Sequence, residues 1–356
     1  MKKLLLTISG GLSFLLFLIL LGVTNYMASS QEAQQMASRW SKEKDAAQVS
    51  CFFSPDAGVT EDMLMAFGYS MDGALQEASI TLESTNPSAR LWVDAYSASG
   101  RITLTNGNNS LEADAIGIGG DFFLFHPLKL INGSYFSGND LMQDYCVIDE
   151  DAAWQLFGSN DVAGMTVYVG NIPHIVTGVV ERASGRLEEA AGLEKTVVYV
   201  SYDTLSTLGT NHGINHYEII MPNPVTGFAY NQVKENIGVE ETEVEIVENT
   251  NRYSFLSRLK TLGAFGTRSM NGKSIIYPYW ENLARGYEDM IAVLTLFMLL
   301  FLLYSVVLCL VFFIIWWRHK GWTLRDVWNQ GKDKLERLIE KRRMKKHEED
   351  KYEERI

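Results

Sequence analysis

Cysteine and proline are scarce in this chain, and the short motifs that usually mark chemistry are missing. With three cysteines and seven prolines in 356 residues, neither a disulfide-stapled small domain nor a proline-rich linker protein is expected. Cys309 lies inside a long apolar run, where a small thiol is ordinary. Cys51 and Cys146 lie outside such runs, so one bridge can join them. Each is also in or beside a strand-like segment, Gln48–Phe53 or Tyr145–Ile148, and two buried free thiols are the other reading. No GxSxG elbow and no Cys–His nucleophile pair occurs. Gly117-Ile118-Gly119-Gly120 lacks both the strand–GxGxxG–helix setting and a phosphate-binding lysine, so no nucleotide cradle is expected. His212 and His216 stand four apart, a metal spacing, but Gly213 separates them and no cysteine or acidic ligand adjoins, so NHGINH reads as a surface loop. Asp149-Glu150-Asp151 reads as the acidic first turn of a helix rather than a carboxylate site. The expectation is a non-enzyme with no catalytic, cofactor-binding or metal-ligating residues and no cofactor.

Basic charge is also sparse away from the ends. The overall formal charge is −12, yet residues 318–356 hold 13 Lys and Arg against 9 acidic residues. Residues 4–317 hold 16 basic and 34 acidic side chains. So acidic a middle argues against nucleic acid as a partner.

Long apolar runs, in contrast, are present. Leu4–Val23 is 20 residues without a charge and Ile291–Trp317 is 27. About 20 apolar residues at roughly 1.5 Å each cross a hydrocarbon core of about 30 Å. Lys2 and Lys3 precede the first run, and Arg318, His319 and Lys320 follow the second. The positive-inside bias then places both termini in the cytoplasm and the intervening residues outside it, in the plasma (cytoplasmic) membrane. A cleaved signal peptide is the rival reading of the N-terminus, but its apolar core is usually about 7–15 residues. An uncleaved anchor is expected.

The organisation follows from period and punctuation. Residues 1–23 form the cytoplasmic flank and first span, and 24–46 a stalk helix on which Ala33, Met36, Ala37 and Trp40 share a stripe. Residues 47–276 form the extracytoplasmic domain, 277–290 a second stalk helix, 291–317 the second span and 318–356 a basic tail. Within the domain, strand Gln48–Phe53, a helix from Thr60 and strand Arg90–Tyr96 make one β-α-β unit. Strand Tyr217–Met221, helix Val225–Ile237 and strand Glu243–Val247 make another. Two separated units are the signature of a split, ferredoxin-like α+β layer. The insert, about 98–214, is expected to be rich in short strands. Ser99-Gly100 is read as a break between strands, and Gly170-Asn171 as a hairpin turn.

Two segments invite a partner. Tyr277-Pro278-Tyr279-Trp280 either packs at the foot of the domain or offers Tyr279 and Trp280 as a contact surface. In the tail, Thr323 can cap a helix carrying Leu324, Val327, Trp328, Leu335, Leu338 and Ile339. That helix lies on anionic membrane lipid beside the basic run Lys341–Lys346, or docks on a protein through residues such as Leu335 and Leu338.

One block of residues is more specific. Gly120-Asp121-Phe122-Phe123, Leu130-Ile131-Asn132-Gly133-Ser134-Tyr135-Phe136-Ser137 and Asn139-Asp140 come first. Val147-Ile148-Asp149-Glu150, Ala153, Leu156-Phe157-Gly158-Ser159, Asp161-Val162-Ala163-Gly164 and Val176-Thr177-Gly178-Val179-Val180 follow. In order and spacing this resembles the MacB-like periplasmic core domain of ABC transporter permeases of the FtsX/MacB type. The resemblance implies a fold of one span, a stalk, a split β-α-β domain with an insert, a second stalk and a second span. It implies no active site, and a domain, often dimeric, that passes ATP-driven motion across the membrane. The family has four spans where this sequence shows two, and often Arg where this sequence has Ser134. The expected function is a non-catalytic membrane subunit of an ABC-type export or mechanotransmission complex. Its partners would be an ABC permease, an ABC ATPase or a second copy of the chain. The alternative is a bitopic extracytoplasmic binding or scaffold protein.

Overall fold

The computed structural model describes residues 2–41, 45–82, 89–182, 185–193, 195–265, 267, 274–320, 328 and 332–342. It divides into two compact units, Leu20–Leu296 and a second made of Met1–Ile19 with Phe297–Ile356. Thr323, Leu324 and Val327 lie outside the described residues, as do 343–346.

The smaller unit holds the apolar lengths of α1 (Lys2–Ser29) and of a final helix that ends at His319. Both helices are long and apolar enough to cross a membrane. Within this unit they bond side by side: Ser13 Oγ donates to the Phe301 carbonyl (2.9 Å), Ser305 Oγ donates to the Gly10 carbonyl (3.2 Å), and Ser9 and Tyr304 hydroxyls meet at 2.9 Å. Small residues that let backbones approach, with hydroxyls bonding across, are how helices associate where burial of apolar surface gives no drive. Residues 332–342 are helical, and Leu335 and Leu338 on them are exposed.

In the larger unit, α1 ends at Ser29, and a short 3-10 turn (Glu32–Gln34) and α2 (Met36–Trp40) follow. The single stalk helix expected over 24–46 is therefore broken. The reason is tertiary: Gln48 Nε2 donates to the Ala33 carbonyl (2.6 Å) and its Oε1 accepts from Met36 N (3.0 Å), folding the segment onto the sheet. Next come β1 (Ala46–Phe53), α3 (Glu61–Glu77), β2 (Val93–Asn106), β3 (Asn109–Gly120) and α4 (Phe122–Phe125). They are followed by β4 (Leu130–Gly133), β5 (Tyr145–Asp149), α5 (Glu150–Phe157), β6 (Thr166–Val169) and β7 (Ile172–Val180). Then come α6 (Arg186–Ala191), β8 (Val197–Ser201), α7 (Tyr202–Leu208), β9 (Thr210–Asn211) and β10 (His216–Pro222). The last are α8 (Phe228–Asn236), β11 (Val244–Glu248), α9 (Phe255–Ala264) and α10 (Tyr279–His319).

The strands join one sheet in the order β11-β1-β10-β2-β3-β8-β5-β7-β4, with β6 on β2 and β7, and β9 on β2. β3–β8 and β5–β7 are parallel and the other pairs antiparallel. β2 runs unbroken through Ser99 and Gly100, contrary to the break expected there. Gly100 is present because β9 crosses it: a Cβ would lie 2.3 Å from the Thr210 carbonyl. The insert is thus a continuation of the same sheet, through β2 and β3, rather than a module hung from it.

Alternation along the strands makes two faces. From β1, Ala47, Val49, Cys51 and Phe53 join β10's Tyr217, Ile219 and Met221 under α3 and α8. α3 contributes Leu64, Phe67, Met71 and Leu75, spaced three and four apart, after Thr60 caps it by accepting from Met63 N. The other face collects Phe122, Phe123, Phe125, Tyr199 and Trp280. A third cluster, around Ile148, Leu156, Val176, Val198 and Leu205, fills the β5–β7–β8 half. Cys51 and Cys146 are free and buried, and they belong to different clusters, so the bridge is not formed. Burial pushes both thiols up, Cys146 to about 12.

Candidate functional site

The polar residues of the larger unit concentrate on the face of β1 and β10 opposite α3 and α8. Gln48 and Ser50 on β1 and His216 and Glu218 on β10 take the alternate positions and point away from the apolar helices. Four more elements close over them: the Glu32–Gln34 turn, the turn after α4 with His126, the segment after β11 with Asn249 and Arg252, and the first turns of α10.

Arg252 is the centre of the joint. Its Nη1 donates to Glu281 Oε2 (2.6 Å) and Nη2 to Glu281 Oε1 (2.7 Å), a two-pronged pair. Its Nε reaches Glu288 Oε1 (2.6 Å), and Nη1 also reaches Gln34 Oε1 (3.0 Å). Glu281, Arg285 and Glu288 fall on one face of α10 because they are four and three residues apart. Arg285 extends the network from Glu281 (2.6 Å) to Glu245 on β11 (2.6 Å), its guanidinium 3.9 Å above the Tyr277 ring. Arg252 and Glu281 are only 3% and 1% exposed at their side chains, which puts the pair in a low dielectric. Burial alone would lower the Arg252 pKa, but the Glu281 charge and its hydrogen bonds outweigh this and raise it.

Glu218 is the second anchor. Its Oε1 accepts from Ser50 Oγ (2.6 Å), Gln48 Nε2 (2.7 Å) and Asn249 Nδ2 (3.2 Å). Its Oε2 faces His126 Nε2 at 3.0 Å and His216 Nε2 at 3.8 Å. Burial would raise the Glu218 carboxyl, but the two histidines and the Ser50 hydroxyl hold it down at about 2. Burial brings the His216 imidazole down to about 4 against the pull of Glu218. Among the described residues, His126, His216 and Glu218 form a group that could hold a metal ion. What the arrangement does is fasten α10 to the sheet.

Several expected residues take other places. His216 is not in a surface loop with His212: it is strand β10 and fully buried, while His212 is exposed. No metal ligands were expected from the sequence; the structure sets His126, far away in sequence, next to His216 and Glu218 in space. Trp280 is 6% exposed, with its ring 5.5 Å from Phe122, 4.5 Å from His126 and 5.3 Å from His216. The Tyr279 hydroxyl meets that of Tyr199 at 2.8 Å. Both side chains turn into the domain, so they are packing residues and not an open contact surface. Asp149 caps α5, accepting from Ala152 N (2.7 Å) and Val197 N (2.9 Å). Arg252, the centre of the joint, had no sequence signal beyond a single basic residue.

The profile of the MacB-like periplasmic core domain family matches residues 4–248. The macrolide export ATP-binding/permease protein MacB of Pasteurella multocida is 26% identical over 143 residues, 40% of this chain and 20% of that protein. The MacB protein of Chromobacterium violaceum is 36% identical over 75 residues, 20% of this chain and 12% of its own length. These matches take in about a fifth or less of the curated relatives. The crystal structure of the periplasmic region of MacB from Actinobacillus actinomycetemcomitans is 17% identical with a TM-score of 0.38, covering 59% of this chain and 92% of that one. The chain is a membrane protein belonging to the MacB-like periplasmic core domain family.

Proposed function

We propose that the chain is a non-catalytic membrane subunit of an ABC-type export or mechanotransmission complex. In this reading both termini are cytoplasmic, and the sheet domain stands outside and moves with α10. The observation that carries it is the Arg252 fork on Glu281 and Glu288, which roots a membrane helix in the domain with buried charge. Buried pairs of this kind favour a specific geometry more than they favour stability. The strand order β11-β1-β10-β2, with α3 and α8 on one face, supports the finer reading of a split β-α-β layer. The partners in this reading are an ABC permease or ABC ATPase subunit, with a second copy of the chain and membrane lipid as further contacts. The exposed Leu335 and Leu338 would supply a docking edge on the cytoplasmic tail.

Mild solubilisation of native membrane followed by affinity recovery of the chain should bring down an ABC ATPase whose ATP hydrolysis falls when Arg252→Gln is introduced. Recovery without any ATPase would reject the reading. A second reading, extracytoplasmic binding, is favoured by a cavity of about 620 Å³ lined in part by Arg101, Asp114, Asn211, Tyr277 and Trp280.

A further inference from the structure

We propose that His126, His216 and Glu218 bind a divalent transition-metal cation of the zinc class, which ties β10 to the turn after α4 beneath Trp280. The inference stands apart from the transport reading and does not need it.

Geometry is the first support. One ligand atom from each residue lies within 4.8 Å of the others. Ligand atoms bonded at about 2.0–2.2 Å to a tetrahedral ion sit about 3.3–3.6 Å apart. The two distances from Glu218 Oε2, 3.0 Å to His126 Nε2 and 3.8 Å to His216 Nε2, bracket that value.

Unmet polarity is the second support. All three side chains are at most 3% exposed. Yet Glu218 Oε2, His126 Nε2 and His216 Nε2 complete no hydrogen bond among the described residues. Three polar atoms that face one another in a buried setting with so few other partners are costly, whereas one cation would engage all three.

The surrounding groups fit as well. Three donors fix Glu218 Oε1 and leave Oε2 to face the rings, and Ser97 Oγ stands 3.4 Å from His216 Nδ1. Metal-binding histidines and carboxylates are commonly oriented by such outer contacts. Two neutral imidazoles with one carboxylate are a zinc-type donor set, too rich in nitrogen for calcium or magnesium. A cavity of about 350 Å³, lined by Gln34, His126, Leu128, Tyr279 and Trp280, reaches the His126 side and has room for a water as a fourth ligand. Only the His126 side meets that cavity, and His216 and Glu218 are closed over by protein, so the ion would hold position. Asn249 links Glu218 to Arg252, so occupancy would bear on the joint beside it.

The test uses the purified full chain in detergent, stripped with a chelator and reloaded with Zn²⁺ or Co²⁺. The proposal expects about one ion per chain, a rise of roughly 5 °C or more in Tm at hundredfold excess over Kd, and visible cobalt bands of a four-coordinate nitrogen–oxygen site. His126→Gln should lose the ion and the Tm response, while His212→Ala should keep both. A wild-type chain with under about a tenth of an ion, unchanged Tm and a featureless cobalt spectrum overturns the proposal. So does unaltered binding in His126→Gln. If that variant fails to fold, the wild-type cobalt spectrum alone decides.

Discussion

The two halves of the sheet are built on different terms. Around β5, β7 and β8 the core cluster consists of alanine, valine, isoleucine and leucine with Cys146. Around β1 and β10 one face is equally apolar, but the other buries Gln48, Ser50, His216 and Glu218 almost completely. Apolar packing tolerates small rearrangements, because volume and pattern are enough. A buried network of charges and hydrogen bonds does not, since each member must keep its partners. The half around β1 and β10 is therefore specified largely by contacts with fixed geometry, and the far half mainly by shape.

The largest effect should come from breaking the charged half. Arg252→Met leaves Glu281 and Glu288 without their shared cation, and should lower unfolding stability by about 3–5 kcal/mol in denaturant titration. Adding Glu281→Leu should restore a substantial part, which a packing defect would not show. A loss under about 1 kcal/mol for the single change would erase the contrast between the halves. In the apolar half, Leu156→Ala should cost about 2–4 kcal/mol by opening a cavity, with no second-site charge change to rescue it.

Asp149 is one of the few buried polar residues in the mostly apolar half, with His174, Ser201 and Thr204, and it sharpens the comparison through pH. Burial raises its carboxyl from the ordinary value to about 6, against its two backbone hydrogen bonds. The folded chain then keeps a proton that the unfolded chain has already released. Its stabilising share is full below about pH 4 and lost as pH rises through about 6. Asp149→Asn should flatten that window in thermal melts and cost about 1–2 kcal/mol near neutral pH, because the Val197 N–H loses its acceptor. An unchanged pH slope would show that another group is responsible. The smallest effect is expected at the tail. Leu335→Asp with Leu338→Asp, both on exposed positions, should change stability by less than about 0.5 kcal/mol while reducing recovery of a partner. Unchanged recovery would remove the docking role.

Local signals were the legible part. Alternation in Gln48–Phe53 and the capped, three-and-four spacing after Thr60 locate β1 and α3 to within two or three residues. Gly170, with φ 61°, turns β6 into β7 where the Gly170-Asn171 pair was read as a turn. Reading failed where a distant contact decided the backbone. Gly100 looked like a breaker and is an accommodation to β9. The first stalk looked like one helix and is bent by Gln48. The joint was illegible for the same reason: Gln34, Glu218, Arg252 and Glu281 come from four separate stretches, and each alone is an ordinary polar residue.

The uninterrupted β2 has a mechanical consequence. Its first residues pair with β10 beside the charged joint, and its last pair with β6 and β3 in the far half. Fourteen extended residues at about 3.3 Å each make a beam of about 45 Å. In the proposed transport reading, an unbroken beam of this length would act as a lever arm. A tilt of about 5° at one end would sweep the other by about 4 Å, so a modest rotation of the rooted helix would become a displacement the size of a side chain at the distal tip.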